Sequence, residues 1–166
     1  MNSGSVSSGV VAPADCENKV VMGMGKWTSR SSTDTTTVGV RVPARLEQLT
    51  MLRALAETVA LIADFALDEV TDIRLALDEV ATSLILDAVP GSTIDCDFTY
   101  DTDQMFVHAS SIAGSASVVD ERDFGWHIIR TLTESIATVQ SPYDGVLRGY
   151  PTIVDFSWVR GVPDAR

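Results

Sequence analysis

The residues best placed for chemistry lie on one stretch, Asp72-Ile-Arg-Leu-Ala-Leu-Asp-Glu-Val-Ala-Thr-Ser-Leu-Ile. Read as a helix, it puts Glu79 and Ser83 four residues apart and therefore on one face. Leu77, Val80, Ala81 and Leu84 fall on the other side. A carboxylate and a hydroxyl on one helix face are groups that chemistry can use. The same pattern also describes a plain half-solvated helix. Other chemistries are poorly served. Two cysteines, Cys16 and Cys96, exclude a disulfide framework and a four-cysteine zinc site. Cys96 alternates with Ile94 and Phe98 and reads as a buried core thiol. The two histidines, His108 and His127, are far apart and have no partner at ligand spacing. His108 alternates outward from a strand, and His127 reads as a half-buried packing residue. No Ser-His-Asp or Cys-His arrangement follows from these spacings.

The elements that must position Glu79 and Ser83 follow from periodicity. Val38, Val40 and Val42 alternate with Gly39 and Arg41, a short strand ended by Pro43. From Ala44 to about Ala66 the residues Leu46, Leu49, Leu52, Leu55 or Ala56, Val59 and Ile62 form a helical stripe. Asp68 is placed to cap the second helix, with Glu69 and Asp72 near its positive first turn. That helix stops by Pro90-Gly91. Two period-2 runs, Ile94 to Tyr100 and Met105 to Ala109, flank the turn Asp101-Thr102-Asp103 and predict a hairpin. Ser110 to Val119 reads as a small-residue loop. A third helix runs from about Phe124 to Ser135, with Asp123 as its cap. Ile136–Gln140 and Thr152–Arg160 complete the strands. The order β-α-α-β-β-α-β-β predicts an α+β two-layer sandwich: a mixed, mostly antiparallel sheet with three helices on one face.

Length and charge bound the rest. The chain has 166 residues, 45% of them hydrophobic, enough for one domain with its own core. Residues 1–37 are rich in Ser, Thr and Gly without sustained period, which predicts a disordered tail. The domain spans 38–160, and 161–166 form a short C-terminal tail. Twelve basic against 23 acidic residues give a net charge of −11, which argues against nucleic-acid binding. Because charges within the tail cancel, all of this excess sits on the domain. Both lysines, Lys19 and Lys26, are in the tail. No apolar stretch approaches the ~18 residues that span a bilayer, and the start lacks a basic leader. The expectation is a cytoplasmic protein with no membrane contact.

The order of elements and the string Leu-Ala-Leu-Asp-Glu-Val-Ala-Thr-Ser-Leu-Ile resemble the RsbW-type anti-sigma factors, small members of the histidine-kinase and Hsp90 type ATPase superfamily. Val-Arg-Val-Pro-Ala-Arg-Leu-Glu-Gln-Leu is similar to their first strand and helix, and Asp-Phe-Gly-Trp-His-Ile-Ile-Arg-Thr-Leu to their glycine turn and third helix. The likeness covers residues 38–160 and looks closest to the actinobacterial, mycobacterial sigma-F branch. It implies an anti-sigma factor that sequesters an alternative, stress-type sigma factor. Release would come from an anti-anti-sigma partner of STAS fold. A homodimer is also implied, with Leu46, Leu49 and Met51 near the first helix as contact residues.

The same resemblance implies a site for ATP and Mg2+. The family has Glu-x-x-x-Asn on its second helix, where the glutamate orients or activates the attacking hydroxyl and the asparagine holds magnesium. Glu79 matches the glutamate. Ser83 stands at the asparagine and is left to hold the metal with a hydroxyl. The family's Asp-x-Gly-x-Gly segment, whose aspartate accepts from the adenine amino group, corresponds to Ala109-Ser110-Ser111-Ile112-Ala113-Gly114. No carboxylate is present there; the loss is placed at residue 110, and only Gly114 stands for a glycine. In the Gly-x-Gly turn that cradles phosphates at a helix start, Gly125 matches while Asp123 replaces the other glycine. Arg122 offsets part of that negative charge. The alternative function, a serine/threonine kinase acting on the anti-anti-sigma partner, is therefore expected to be weak or absent.

The acids are concentrated: Asp64, Asp68, Glu69, Asp72, Asp78 and Glu79 in one stretch, then Asp95, Asp97, Asp101 and Asp103 along the hairpin. Such runs keep a surface solvated, or they steer a basic partner. Sigma factors, with many basic residues on their working faces, would be such partners.

Overall fold

The computed structural model describes residues 34–116 and 124–161. Five strands form one sheet: β1 (Thr36–Pro43), β2 (Thr93–Tyr100), β3 (Gln104–Ala113), β4 (Ser135–Gln140) and β5 (Tyr150–Val159). Their order across the sheet is β1-β2-β3-β5-β4. Three helices, α1 (Leu49–Ile62), α2 (Leu67–Leu86) and α3 (Phe124–Leu132), cover one face, giving the expected two-layer α+β sandwich. All four pairings are antiparallel, so the sheet is not mixed among the described strands.

Alternation fixes which side of each strand meets the helices. Ile94, Cys96 and Phe98 of β2, Met105, Val107 and Ala109 of β3, and Val154, Phe156 and Trp158 of β5 are buried against them. From the helices come Leu52, Ala56 and Val59 of α1, Ile73, Leu77, Val80 and Leu84 of α2, and Trp126 and Ile129 of α3. Each fully buried large aliphatic or Phe side chain contributes about 1.5–3 kcal/mol by leaving water. The other face of the sheet is open and carries the polar partners of the alternation. There His108 Nδ1 lies 2.7 Å from Asp155 Oδ1, and Arg41 on β1 bonds Asp95 on β2. His108 is therefore more than a bare strand-surface residue; it ties β3 to β5.

Several boundaries differ from the sequence expectation for physical reasons. β1 begins at Thr36, two residues inside the stretch read as tail, because Thr36 and Thr37 still pair with Tyr100 and Thr99. The first helix is preceded by a 3-10 turn, Leu46–Gln48, and α1 proper starts at Leu49. The cap of α2 is not Asp68. Ala66 is the first flanking residue, and Glu69 reaches back to accept from the Ala66 N–H at 2.8 Å. β3 does not end at Ala109 but runs on to Ala113, so Ser110–Ala113 is strand rather than loop. β5 likewise starts at Tyr150. His127 is exposed, not half-buried. Asp123, expected as the cap of α3, lies outside the described residues, as do most of the two expected tails.

Candidate functional site

α2 is the central helix of its layer, and its residues sort by direction. Ile73, Leu77, Val80 and Leu84 face the sheet. Asp78 faces α1, where Arg53 Nε donates to its Oδ1 at 2.7 Å; this bond raises the Arg53 pKa. Glu79 faces α3. A Cβ added to Gly125 would stand 2.7 Å from Glu79 Oε2. With no side chain at residue 125, the first turn of α3 meets the Glu79 carboxylate where it stands; a methyl there would require the carboxylate to shift. Sequence spacing alone had joined Glu79 to Ser83; the fold adds Gly125 to them from 46 residues further along. Both Glu79 and Ser83 are half-buried. Among the described residues, neither side chain has a hydrogen-bond or ion-pair partner.

One turn beyond Ser83, Asp87 ends the helix and extends the same stripe. Its Oδ2 accepts from the Ser115 N–H at 3.3 Å and from the Ser115 hydroxyl at 3.0 Å. Its carbonyl accepts from the Gly114 N–H at 2.6 Å. From the far side, Gln140 at the end of β4 donates to the Ser115 carbonyl at 3.1 Å and to Thr152 Oγ1 at 3.1 Å. Gly114 is thus held by Asp87, at the opposite end of the stripe from Gly125. Asp87 was missed in the sequence because Pro90-Gly91 marked only where the helix stops, and said nothing of what its last carboxylate grips. Arg122, the remaining expected site residue, lies outside the described residues.

Strand register also relocates the residue expected to face a bound base. Ser110 sits opposite Asp95 and Ile153 on the open side of the sheet. Ser111 is the residue that turns inward. It is 5% exposed, and its hydroxyl has no partner. A buried hydroxyl left unbonded costs about 1–3 kcal/mol, so its presence calls for a reason. Had the alternation of Val107 and Ala109 been carried two residues further, the sequence would have named Ser111.

These groups fit magnesium and a nucleotide in part. Magnesium takes one or two protein oxygens and completes its shell with phosphate and water; the Glu79 carboxylate and Ser83 hydroxyl are of the right kind. The Ser111 hydroxyl can meet a polar edge of a base but brings no charge. Cys96 takes no part: it is fully buried, and burial pushes its thiol up to about 12, so it is inert at neutral pH. No group of three or more metal-binding side chains occurs among the described residues. No helix of the described residues is long and apolar enough to cross a membrane.

An α+β sandwich with a glutamate-bearing central helix and a glycine-started third helix is the class of protein that the fold and the site define. No protein-family model matches the chain. The chain is 37% identical over 101 residues to the anti-sigma-F factor RsbW of Mycobacterium tuberculosis, in strains CDC 1551 / Oshkosh and ATCC 25618 / H37Rv alike. The match covers 61% of this chain and 60% of each relative, so the chain spans about three-fifths of the length of the curated relatives it matches.

Proposed function

We propose that this protein is a cytoplasmic anti-sigma factor that sequesters an alternative, sigma-F-type sigma factor and is released by an anti-anti-sigma partner of STAS fold. The observation that carries this reading is the 37% identity to anti-sigma-F factor RsbW, on a chain whose fold class agrees with the resemblance. The net charge of −11 supports it, because an acidic protein is steered to the basic working faces of a sigma factor. The test is titration of the full chain with a purified sigma-F-type factor, read by light scattering and by promoter-specific transcription. Stoichiometric inhibition without added nucleotide is expected. Absence of a complex at protein concentrations on the order of 10 μM would overturn the reading.

The active form in this reading is a homodimer. Leu49 is not available for the contact, since it is buried in the core. Leu46 in the 3-10 turn and Met51 on α1 remain available, 50% and 45% exposed. Sedimentation of the full chain tests this, and a monomer at micromolar concentration refutes it.

One observation favours a second reading, an ATP-dependent kinase acting on the STAS partner: the partnerless Ser111 hydroxyl, buried on the helix-facing side of β3. Magnesium-bound ATP would supply the transferable phosphoryl group. Glu79 would orient the acceptor hydroxyl, Ser83 and Glu79 would hold the metal, and Gly114 and Gly125 would bound the site. The acceptor for an adenine amino group is a hydroxyl here, so affinity is expected to be modest. Calorimetric titration of Mg-ATP, repeated on Ser111→Ala, decides between the two readings. Binding that Ser111→Ala weakens supports a nucleotide site; no heat in the parent chain leaves a protein-binding inhibitor.

A further inference from the structure

The α1–α2 turn carries apolar side chains that the fold does not use. Leu61 is 49% exposed, Ile62 67% and Leu67 76%, all within seven residues. A helix–helix turn is ordinarily polar at such positions. Around these three lie Asp64, whose side chain is 96% exposed, and the exposed Asp68. Asp103 belongs to the same end of the molecule, because Arg160 joins it to the turn. The Arg160 N–H donates to the Asp103 carbonyl at 2.8 Å, while its guanidinium donates to the Ala63 carbonyl. That guanidinium is already committed: it stands 5.5 Å over the Phe65 ring and 3.9 Å from Asp64 Oδ2. The result is an apolar centre with an acidic rim.

The N-terminal chain arrives at this same end. β1 begins at Thr36, which pairs with Tyr100 beside the β2–β3 turn that contains Asp103. The residues before it read Asn18-Lys-Val-Val-Met-Gly-Met-Gly-Lys-Trp-Thr-Ser-Arg-Ser-Ser-Thr33. This segment has three cations, Lys19, Lys26 and Arg30, no acid, and an apolar set of Val20, Val21, Met22, Met24 and Trp27. It is the chemical complement of the patch: apolar with basic punctuation against apolar with an acidic rim. We propose that residues 18–33 dock intramolecularly on the patch formed by Leu61, Ile62 and Leu67, with their cations against Asp64, Asp68 and Asp103.

Reach and concentration favour the contact. The nine residue steps from Trp27 to Thr36 span roughly 30 Å when extended, and the α1–α2 turn lies over the same end of a sheet whose strands are about 5 Å apart. A tethered segment sees its site at an effective concentration on the order of millimolar, so a contact with a Kd below that is formed most of the time. The inference is independent of the anti-sigma reading, since neither the sigma factor nor nucleotide enters it.

The test uses the full chain with a nitroxide attached to Cys16, two residues before the segment. Cys96 does not compete for the label because it is buried. The expected result is selective loss of amide signal at Ile62, Asp64 and Leu67, recovered in Lys19→Glu/Lys26→Glu/Arg30→Glu and in Ile62→Ser/Leu67→Ser. These are exposed or tail positions, so the fold should survive both variants. Salt at about 1 M, where the screening length shrinks to about 3 Å, should also reduce the loss. Three results overturn the proposal: no selective loss, loss centred on Met51 instead, or loss carried between chains when labelled and isotope-enriched proteins are mixed. The last would mean that the patch receives the segment of a second copy.

Discussion

Asp78 and Glu79 are neighbours in sequence, both half-buried on α2, and the two sides of that helix treat them differently. On the α1 side Asp78 is tied to Arg53 at 2.7 Å, and the pair belongs to the architecture. On the α3 side Glu79 has a bare glycine in front of it and no bonded partner among the described residues. A carboxylate already bonded to a fixed cation is poorly placed to serve a ligand, whereas one held beside a helix start without a partner is free to do so. The difference is thus between a side that spends its charge on the fold and a side that keeps it.

The strongest way to break this contrast is to remove what both sides rest on. Leu77 is fully buried beneath α2, and Leu77→Ala should cost about 2–5 kcal/mol in urea unfolding. A cost under about 1 kcal/mol would mean that the helix is not anchored as described. Next comes the loop grip. Asp87→Ala removes both bonds to Ser115 and should cost about 0.5–1.5 kcal/mol. Faster amide exchange should be confined to residues 114–116. If exchange quickens along all of α2, Asp87 supports the helix rather than the loop.

Much of this contrast was hidden in the sequence, although the fold was not. Periodicity gave α2 and the hairpin because long apolar stripes report burial directly. It could not divide Asp78 from Glu79, since the residues that distinguish them, Arg53 and Gly125, come from other helices. Ser110–Ala113 looked like loop because small residues carry weak strand propensity, yet the alternation continues through them, and the inward turn of Ser111 follows from it. Asp68 looked like the cap because its type is right. The real contact comes from Glu69, which also accepts from the Gly161 N–H at 2.7 Å and so fastens the chain after β5. That bond depends on a residue 92 positions away.

Gly125 offers a test whose sign depends on Glu79. Alanine is favoured over glycine within a helix by about 0.5–1 kcal/mol, but in the parent chain the new methyl meets the Glu79 carboxylate. The carboxylate is the end of a flexible side chain and can swing aside, so Gly125→Ala alone should be close to neutral. In a Glu79→Ala background nothing opposes the propensity gain, and Gly125→Ala should stabilise by about 0.5–1 kcal/mol. A double-mutant cycle over the two positions measures the coupling. Zero coupling would mean that the two residues do not meet.

The smallest effect is expected on the α1 side, and it separates the two carboxylates by salt. Arg53 reaches solvent, its side chain 41% exposed against 25% for Asp78, so their attraction is partly screened. Arg53→Met keeps the apolar stem and removes the charge. It should lower the melting temperature slightly in dilute buffer and not at all near 1 M salt, where the screening length is about 3 Å. Glu79→Gln has no such bond to lose, and its melting temperature relative to the parent should be independent of salt. The reverse outcome, a salt-sensitive Glu79 beside a salt-blind Arg53, would show that the side facing α3 is the one whose charge the fold consumes.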